Sequence, residues 1–187
     1  MNNNTLNEQT PRFNNIIFVG GIHGVGKSTL CKQLCLDFNL EYLSASELIK
    51  WSEINSDAKN KKVRDIPSTQ NRLINGLIEN VEVDGNYILD GHYCLLNAEG
   101  IASNVPLSLF SAINPRLFCL VTGNVTEIQK GLEERDQRPY DADFLLSMQN
   151  QEVEYASFLS NELGKNLIVG NRDGLKKFKD GITSLMR

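Results

Sequence analysis

The sequence predicts a three-layer α/β domain, a parallel sheet covered by helices on both faces. Three observations carry that expectation. Apolar runs of strand length recur at Asn15–Gly20, Leu40–Leu43, Tyr87–Asp90, Leu117–Thr122 and Asn166–Val169. Segments with helical spacing separate them. The runs are nearly continuous, which suits strands buried on both faces, as parallel strands are. Five strands linked by helices read as βαβ units on one sheet. The chain has 187 residues and a mass of 21.0 kDa, enough for one domain with a real core. It shows no internal repeat and no second domain.

Each element has a local reason. Residues 1–14 are polar and Asn-rich and are expected to form a flexible tail ahead of a domain over 15–187. Asn15–Gly20 ends in glycines, a buried strand running into a turn. Lys27–Phe38 carries Leu30, Leu34 and Leu36 at helical spacing. Leu40–Leu43 is a second strand, followed by a helix start over Ser44–Trp51 with Ser46 and Glu47. Residues 52–66 are polar and charged and read as an exposed excursion. Ser68 caps a helix to about Asn80, with Leu73, Ile74, Leu77 and Ile78 facing inward. Pro106 opens a short helix, Leu107–Ile113. Val125–Glu134 and Ala142–Leu163 read as helices around a basic link, Arg135–Tyr140. Gly174–Met186 closes the chain as a helix.

Composition excludes several classes. Nineteen Lys plus Arg against 23 Asp plus Glu leave a formal charge of -4, so no basic field exists to hold a nucleic acid. No apolar run approaches the ~20 residues of a membrane helix, and the N-terminus lacks the basic and apolar regions of a signal peptide. A soluble, cytoplasmic protein is expected. Cys31, Cys35, Cys94 and Cys119 contain no CxxC pair. Buried reduced thiols explain them better than a metal site or a disulfide framework.

The sharpest feature is Gly20-Gly21-Ile22-His23-Gly24-Val25-Gly26-Lys27-Ser28-Thr29. From Gly21 it fits G-x-x-x-x-G-K-[ST], and it lies between a strand and a helix, where such a loop works. Glycines let successive backbone N–H groups point inward around a β-phosphate. The helix beginning near Lys27 adds its positive end. Lys27 can reach the β- and γ-phosphates, and the Ser28 hydroxyl can ligate Mg²⁺. This predicts a nucleoside triphosphate site. His23 lies inside the loop at a variable position, and its imidazole is expected to face solvent or pack on a neighbour without a catalytic role.

The loop alone does not separate kinases, GTPases and motor-type ATPases. No N-K-x-D base-reading motif occurs, and little chain remains for the trailing helical domain of an AAA⁺ machine. Asp90, at the end of the third strand, is placed to hold Mg²⁺ beside the phosphate loop. Arg135 and Arg138 sit three apart on a link between helices. Phosphoryl transfer needs cations delivered to its equatorial oxygens from outside the loop. Two solvated arginines near a helix end are the alternative, and delivery of these cations to the phosphates is the favoured reading.

Taken in order, these segments resemble the small nucleoside monophosphate kinases, and among them the archaeal-type adenylate kinases. The resemblance spans nearly all of residues 15–187. Besides the phosphate loop, Pro67-Ser-Thr-Gln70-Asn-Arg72 resembles their P-E-T-Q-x-R. Asp90-Gly-His92 resembles their D-x-H, and Leu107–Asn114 with Pro115-Arg-Leu-Phe resembles their L-x-x-L-N-P-D-L-I. Arg135–Asp141 falls at their short lid, and Val169–Gly174 at their adenine-side loop. The resemblance implies strand order 2-3-1-4-5 and transfer of the ATP γ-phosphate to AMP or a related nucleotide. It implies MgATP held by Gly21, His23, Gly24, Val25, Gly26, Lys27, Ser28, Thr29 and Asp90, with Asn171 and Arg172 near the adenine. It implies lid cations at Arg135 and Arg138, a lid over about 135–142 and a monophosphate-binding arm over about 44–82. Ser44, His92 and either Arg64 or Arg72 would hold the acceptor. Family members form trimers, which leaves a homo-oligomer open. Two departures stand out: the lid reads Arg-Asp-Gln-Arg-Pro rather than R-x-R-D, and the arm is rich in Lys and Asn. Two other readings remain beside this one. One is a kinase of another small molecule on the same scaffold. The other is an ATP-driven regulatory or assembly factor.

Overall fold

A computed structural model describes residues 13–50 and 66–186. Its elements are β1 (Ile16–Gly20), α1 (Lys27–Phe38), β2 (Glu41–Ser44), α2 (Ala45–Ile49), α3 (Ile66–Asn80), β3 (Tyr87–Asp90), β4 (Cys94–Leu96), β5 (Ala102–Asn104), α4 (Leu107–Ile113), β6 (Leu117–Thr122), α5 (Val125–Asp136), α6 (Ala142–Glu162), β7 (Asn166–Asn171) and α7 (Leu175–Leu185). The tail over residues 1–12, most of the polar excursion, Trp51 and Arg64 lie outside the described residues.

Successive strand side chains leave opposite faces, and here both faces are apolar. Ile16, Phe18, Tyr87, Leu89, Phe118 and Leu120 join one core, under α3, α4 and α6. Ile17, Val19, Ile88, Leu117, Cys119 and Val121 join the other, under α1, α5 and α7. The sheet order is β2-β3-β1-β6-β7 and every pairing is parallel. Counting the strands of this sheet alone, that is 2-3-1-4-5. The order puts β1 between β3 and β6, so the carboxyl ends of the central strands open on one edge. Val19 pairs with Asp90, and Asp90 with Ser44, which lines up the phosphate loop, the aspartate and the start of α2. Below that edge, Phe18 packs edge-on against Tyr93 and Phe110, with ring centroids 5.0 and 5.1 Å away. Each such fully buried aromatic contributes roughly 1.5–3 kcal/mol.

Several boundaries differ from expectation. Phe13, assigned to the tail, is 5% exposed and packs in the first core, and Asn114 Nδ2 donates to its carbonyl at 2.7 Å. Leu36 is 80% exposed. The buried face of α1 is Leu30, Cys31, Leu34 and Cys35, because those positions recur at i, i+1, i+4 and i+5 while Leu36 falls opposite. Helix α3 is already formed at Ile66 rather than starting after Ser68, with Pro67 in its first turn, where a missing N–H is harmless. Helix α5 continues through Asp136, so Arg135 belongs to its last turn and not to the link. β7 runs on to Asn171.

The antiparallel hairpin of β4 and β5 has no strand-like pattern in the sequence. Its turn is held by Asn97, whose Oδ1 accepts the backbone N–H of Glu99 at 3.1 Å and of Ile101 at 2.9 Å. Among the described residues, no helix is long and apolar enough to cross a membrane.

Candidate active site

The loop from Gly21 to Gly26 joins β1 to α1. Gly24 and Gly26 have φ of 80° and 95°, left-handed values that a side chain resists. Their Cβ positions are also taken, 2.7 Å from Leu132 and 2.7 Å from Arg172. The N-cap of α1 is Gly26, which has no side chain to cap the helix, so its first N–H groups can face a ligand. Lys27 is 7% exposed, and its ammonium folds back on the loop, donating to the carbonyls of Gly21 at 2.8 Å and Ile22 at 3.1 Å. Val25 packs its side chain into the second core, so it offers a ligand only backbone. Ser28 and Thr29 line the cavity above the loop.

Asp90 leaves the end of β3 and meets this loop. Its Oδ2 accepts from Ser28 Oγ at 2.6 Å and from Tyr42 Oη at 2.9 Å. Burial, and then the charge of Asp90, push the Tyr42 phenol well above its ordinary range. Tyr42, on the edge strand β2, escaped the sequence reading because its partner lies 48 residues away. Ser28 and Asp90 together present hard oxygen donors at the mouth of the loop. That set fits Mg²⁺, which takes one or two protein oxygens and fills its octahedron with phosphates and water.

Opposite the loop, a chain of contacts holds the two arginines. Arg138 lies over the Tyr140 ring, 4.8 Å from its centroid, and donates to Tyr140 Oη at 2.9 Å. Tyr140 Oη donates to Asp136 Oδ2 at 2.5 Å. Arg135 pairs with Asp136, at 2.7 Å from Nε to Oδ1, and its Nη2 donates to His23 Nε2 at 2.6 Å. Arginine has no acceptor, so His23 carries its ring proton on Nδ1 in this arrangement. Hydrogen bonds from Arg135 and then from Tyr140 hold the Asp136 carboxyl far below the usual carboxylate range. The link itself is short: Gln137 ends α5 in a left-handed conformation, and the Asp141 carboxylate caps α6 by accepting from Asp143 and Phe144 N–H.

Between these groups lies a cavity of about 520 Å³. His23, Gly24, Gly26, Lys27, Asp90, His92, Arg135 and Arg138 border it on the phosphate side. Its far side is apolar, with Leu73, Leu95, Val105, Leu109 and Phe110, edged by Ser44, Thr69 and Gln70. Arg72 is exposed and is not part of this wall, because packing of Leu73 and Leu77 into the core turns Thr69 and Gln70 toward the cavity instead. Asn171 and Arg172 stand at the end of β7, where the stem of Arg172 covers Gly26 from outside. All four cysteines are free and buried, and burial pushes Cys35 up to about 11 and Cys119 up to about 12.

A five-stranded parallel sheet with this loop at its central strand defines a P-loop nucleotide-binding domain of the kinase-like kind. The chain belongs to the AAA domain family, whose model matches residues 20–148, more than half of the chain. The AAA description is that of the class set aside above for lack of room, and the match covers the nucleotide-binding domain itself. Among solved structures, an uncharacterized protein from Eubacterium ventriosum is 15% identical with a TM-score of 0.50, over 90% of this chain and 98% of that one. A gluconokinase from Sinorhizobium meliloti is 12% identical with a TM-score of 0.48, over 80% of this chain and 94% of that one. No curated sequence matches the chain.

Proposed function

We propose that the chain is a kinase that transfers the γ-phosphate of ATP to a nucleoside monophosphate, AMP or a related ribo- or deoxyribonucleotide. The supporting observation is the cavity, with cations at one end and an apolar wall at the other. A base stacks on such a wall, whereas the hydroxyls of a sugar acid would stay unpaired against it. On this reading the loop N–H groups and Lys27 take the β- and γ-phosphates, the ammonium exchanging two loop carbonyls for phosphate oxygens. Mg²⁺, held through Ser28 and Asp90, would neutralise charge on those phosphates. Arg135 and Arg138 approach the transferred group from the phosphate side of the cavity, Ser44, Thr69 and Gln70 orient the acceptor, and Asn171 and Arg172 flank the adenine. The acceptor phosphate is already an anion, so alignment and charge stabilisation carry the reaction.

The test mixes the protein with MgATP and each common ribo- and deoxyribonucleoside monophosphate and follows diphosphates by chromatography, with Lys27→Ala as control. One acceptor converted in a Lys27-dependent way is the expected result. ATP hydrolysis with every nucleotide untouched would overturn the reading.

A further inference from the structure

Glu152 is buried without exposure on α6, facing the chain just beyond β3. Its Oε1 accepts the backbone N–H of Tyr93 at 3.1 Å and of Cys94 at 3.0 Å. Its Oε2 is buried and has no hydrogen-bond partner among the described residues. Tying two N–H groups to a helix needs only one oxygen, and a glutamine would supply it at a lower desolvation cost. The second oxygen therefore asks for a donor. His92 stands beside this carboxyl group, with Nδ1 3.8 Å from Oε1. His92 lines the cavity two residues beyond Asp90.

We propose that Glu152 is a positioning residue that acts through His92, taking the Nδ1–H on Oε2 and so fixing the plane and tautomer of the imidazole that borders the cavity. With the proton held on Nδ1, Nε2 is the nitrogen presented to the ligand. The Tyr93 and Cys94 bonds tether the same carboxyl group to the loop carrying His92, so loop and ring are set together. The consequence for turnover rests on the phosphoryl-transfer reading above; the consequence for the imidazole does not.

Nitrogen-15 spectra test it directly, because the chain has two histidines and His23→Asn assigns them. At about pH 9, above the ordinary imidazole range, His92 is expected as the Nδ1–H tautomer. Glu152→Gln would turn an N–H toward Nδ1 and move the proton to Nε2. An Nε2–H tautomer in the unaltered protein overturns the proposal, and that spectrum needs no variant to fold. So does a tautomer unmoved by Glu152→Gln in a variant that melts cooperatively. With an acceptor from the screen, Glu152→Gln is expected to lower kcat roughly ten- to hundred-fold while KM for ATP holds. In a His92→Asn background the same change should cost less than about two-fold. Equal losses in both backgrounds mean a purely structural carboxyl group and overturn it. The spectra require no acceptor, so failure of the kinase reading leaves this result to stand or fall by itself.

Discussion

The phosphate loop and the arginine link hold their cations by opposite means. Lys27 is buried and its ammonium rests on two carbonyls of its own loop, Gly21 and Ile22, within six residues. Arg135 and Arg138 are exposed and are steered by side chains, Asp136 and Tyr140, with His23 reached from 112 residues away. Backbone carbonyls on a strand-to-helix turn barely move. Side-chain partners at the end of α5 and on the five-residue link after it can exchange. On the proposed reading the loop is a rigid cradle for what is common to all nucleotides, and the link an adaptable arm for what arrives and leaves.

The largest test of that contrast removes a cation from each side. On the proposed reading, Lys27→Ala lowers kcat/KM by at least roughly 10³-fold and weakens ATP binding as well. Arg138→Ala lowers kcat by roughly 10²–10³-fold with ATP affinity nearly intact. Equilibrium ATP binding measured beside steady-state rates checks both, and loss of ATP binding in Arg138→Ala would erase the distinction.

A smaller effect is expected at Tyr42, which braces Asp90 on the rigid side. Tyr42→Phe deletes one of the two hydroxyls on Asp90 Oδ2. It is expected to cut activity less than about ten-fold, the worth of one hydrogen bond to a charged group, and to raise the magnesium concentration needed for half-maximal rate. A titration with magnesium reads this out.

The smallest effect belongs to the end of α5, where Asp136 holds Arg135. The Asp136 carboxyl titrates lower folded than unfolded, so its contribution to stability is present above the unfolded value of about 4 and is lost as pH falls toward its folded value. Asp136→Asn is expected to lower the melting temperature by about 2–4 °C at pH 7, since its partner Arg135 is half exposed and the pair is screened by solvent. The difference should shrink below about pH 4. A difference that does not shrink at all between about pH 5 and pH 2 would mean that packing rather than charge holds this contact.

Legibility follows the same divide. The loop, its glycines, Lys27 and Ser28 are contiguous, and a contiguous turn carries its own geometry. Strand positions were legible because a run such as Leu117–Val121 is buried whichever neighbours flank it. Leu36 misled, since its apolar character says nothing about helix phase, which the packing of Leu30 and Leu34 sets. The hairpin of β4 and β5 escaped because three-residue strands with a polar turn carry no period. The resemblance alone offered Arg72 as an acceptor ligand; it is exposed, while its neighbour Leu73 is buried and lines the cavity. Arg64 lies outside the described residues.

By itself, then, the sequence determined that this chain folds as alternating strands and helices around a phosphate loop, because both signals are read within a dozen neighbouring residues. Only the tertiary structure decided that Tyr42 braces Asp90, that His23 meets Arg135, and that Glu152 stands behind His92. Those partnerships exist because the sheet order brings the ends of β2, β3 and β1 and the flank of α6 to one edge. A side chain 59 residues from its partner has no local signal to announce it.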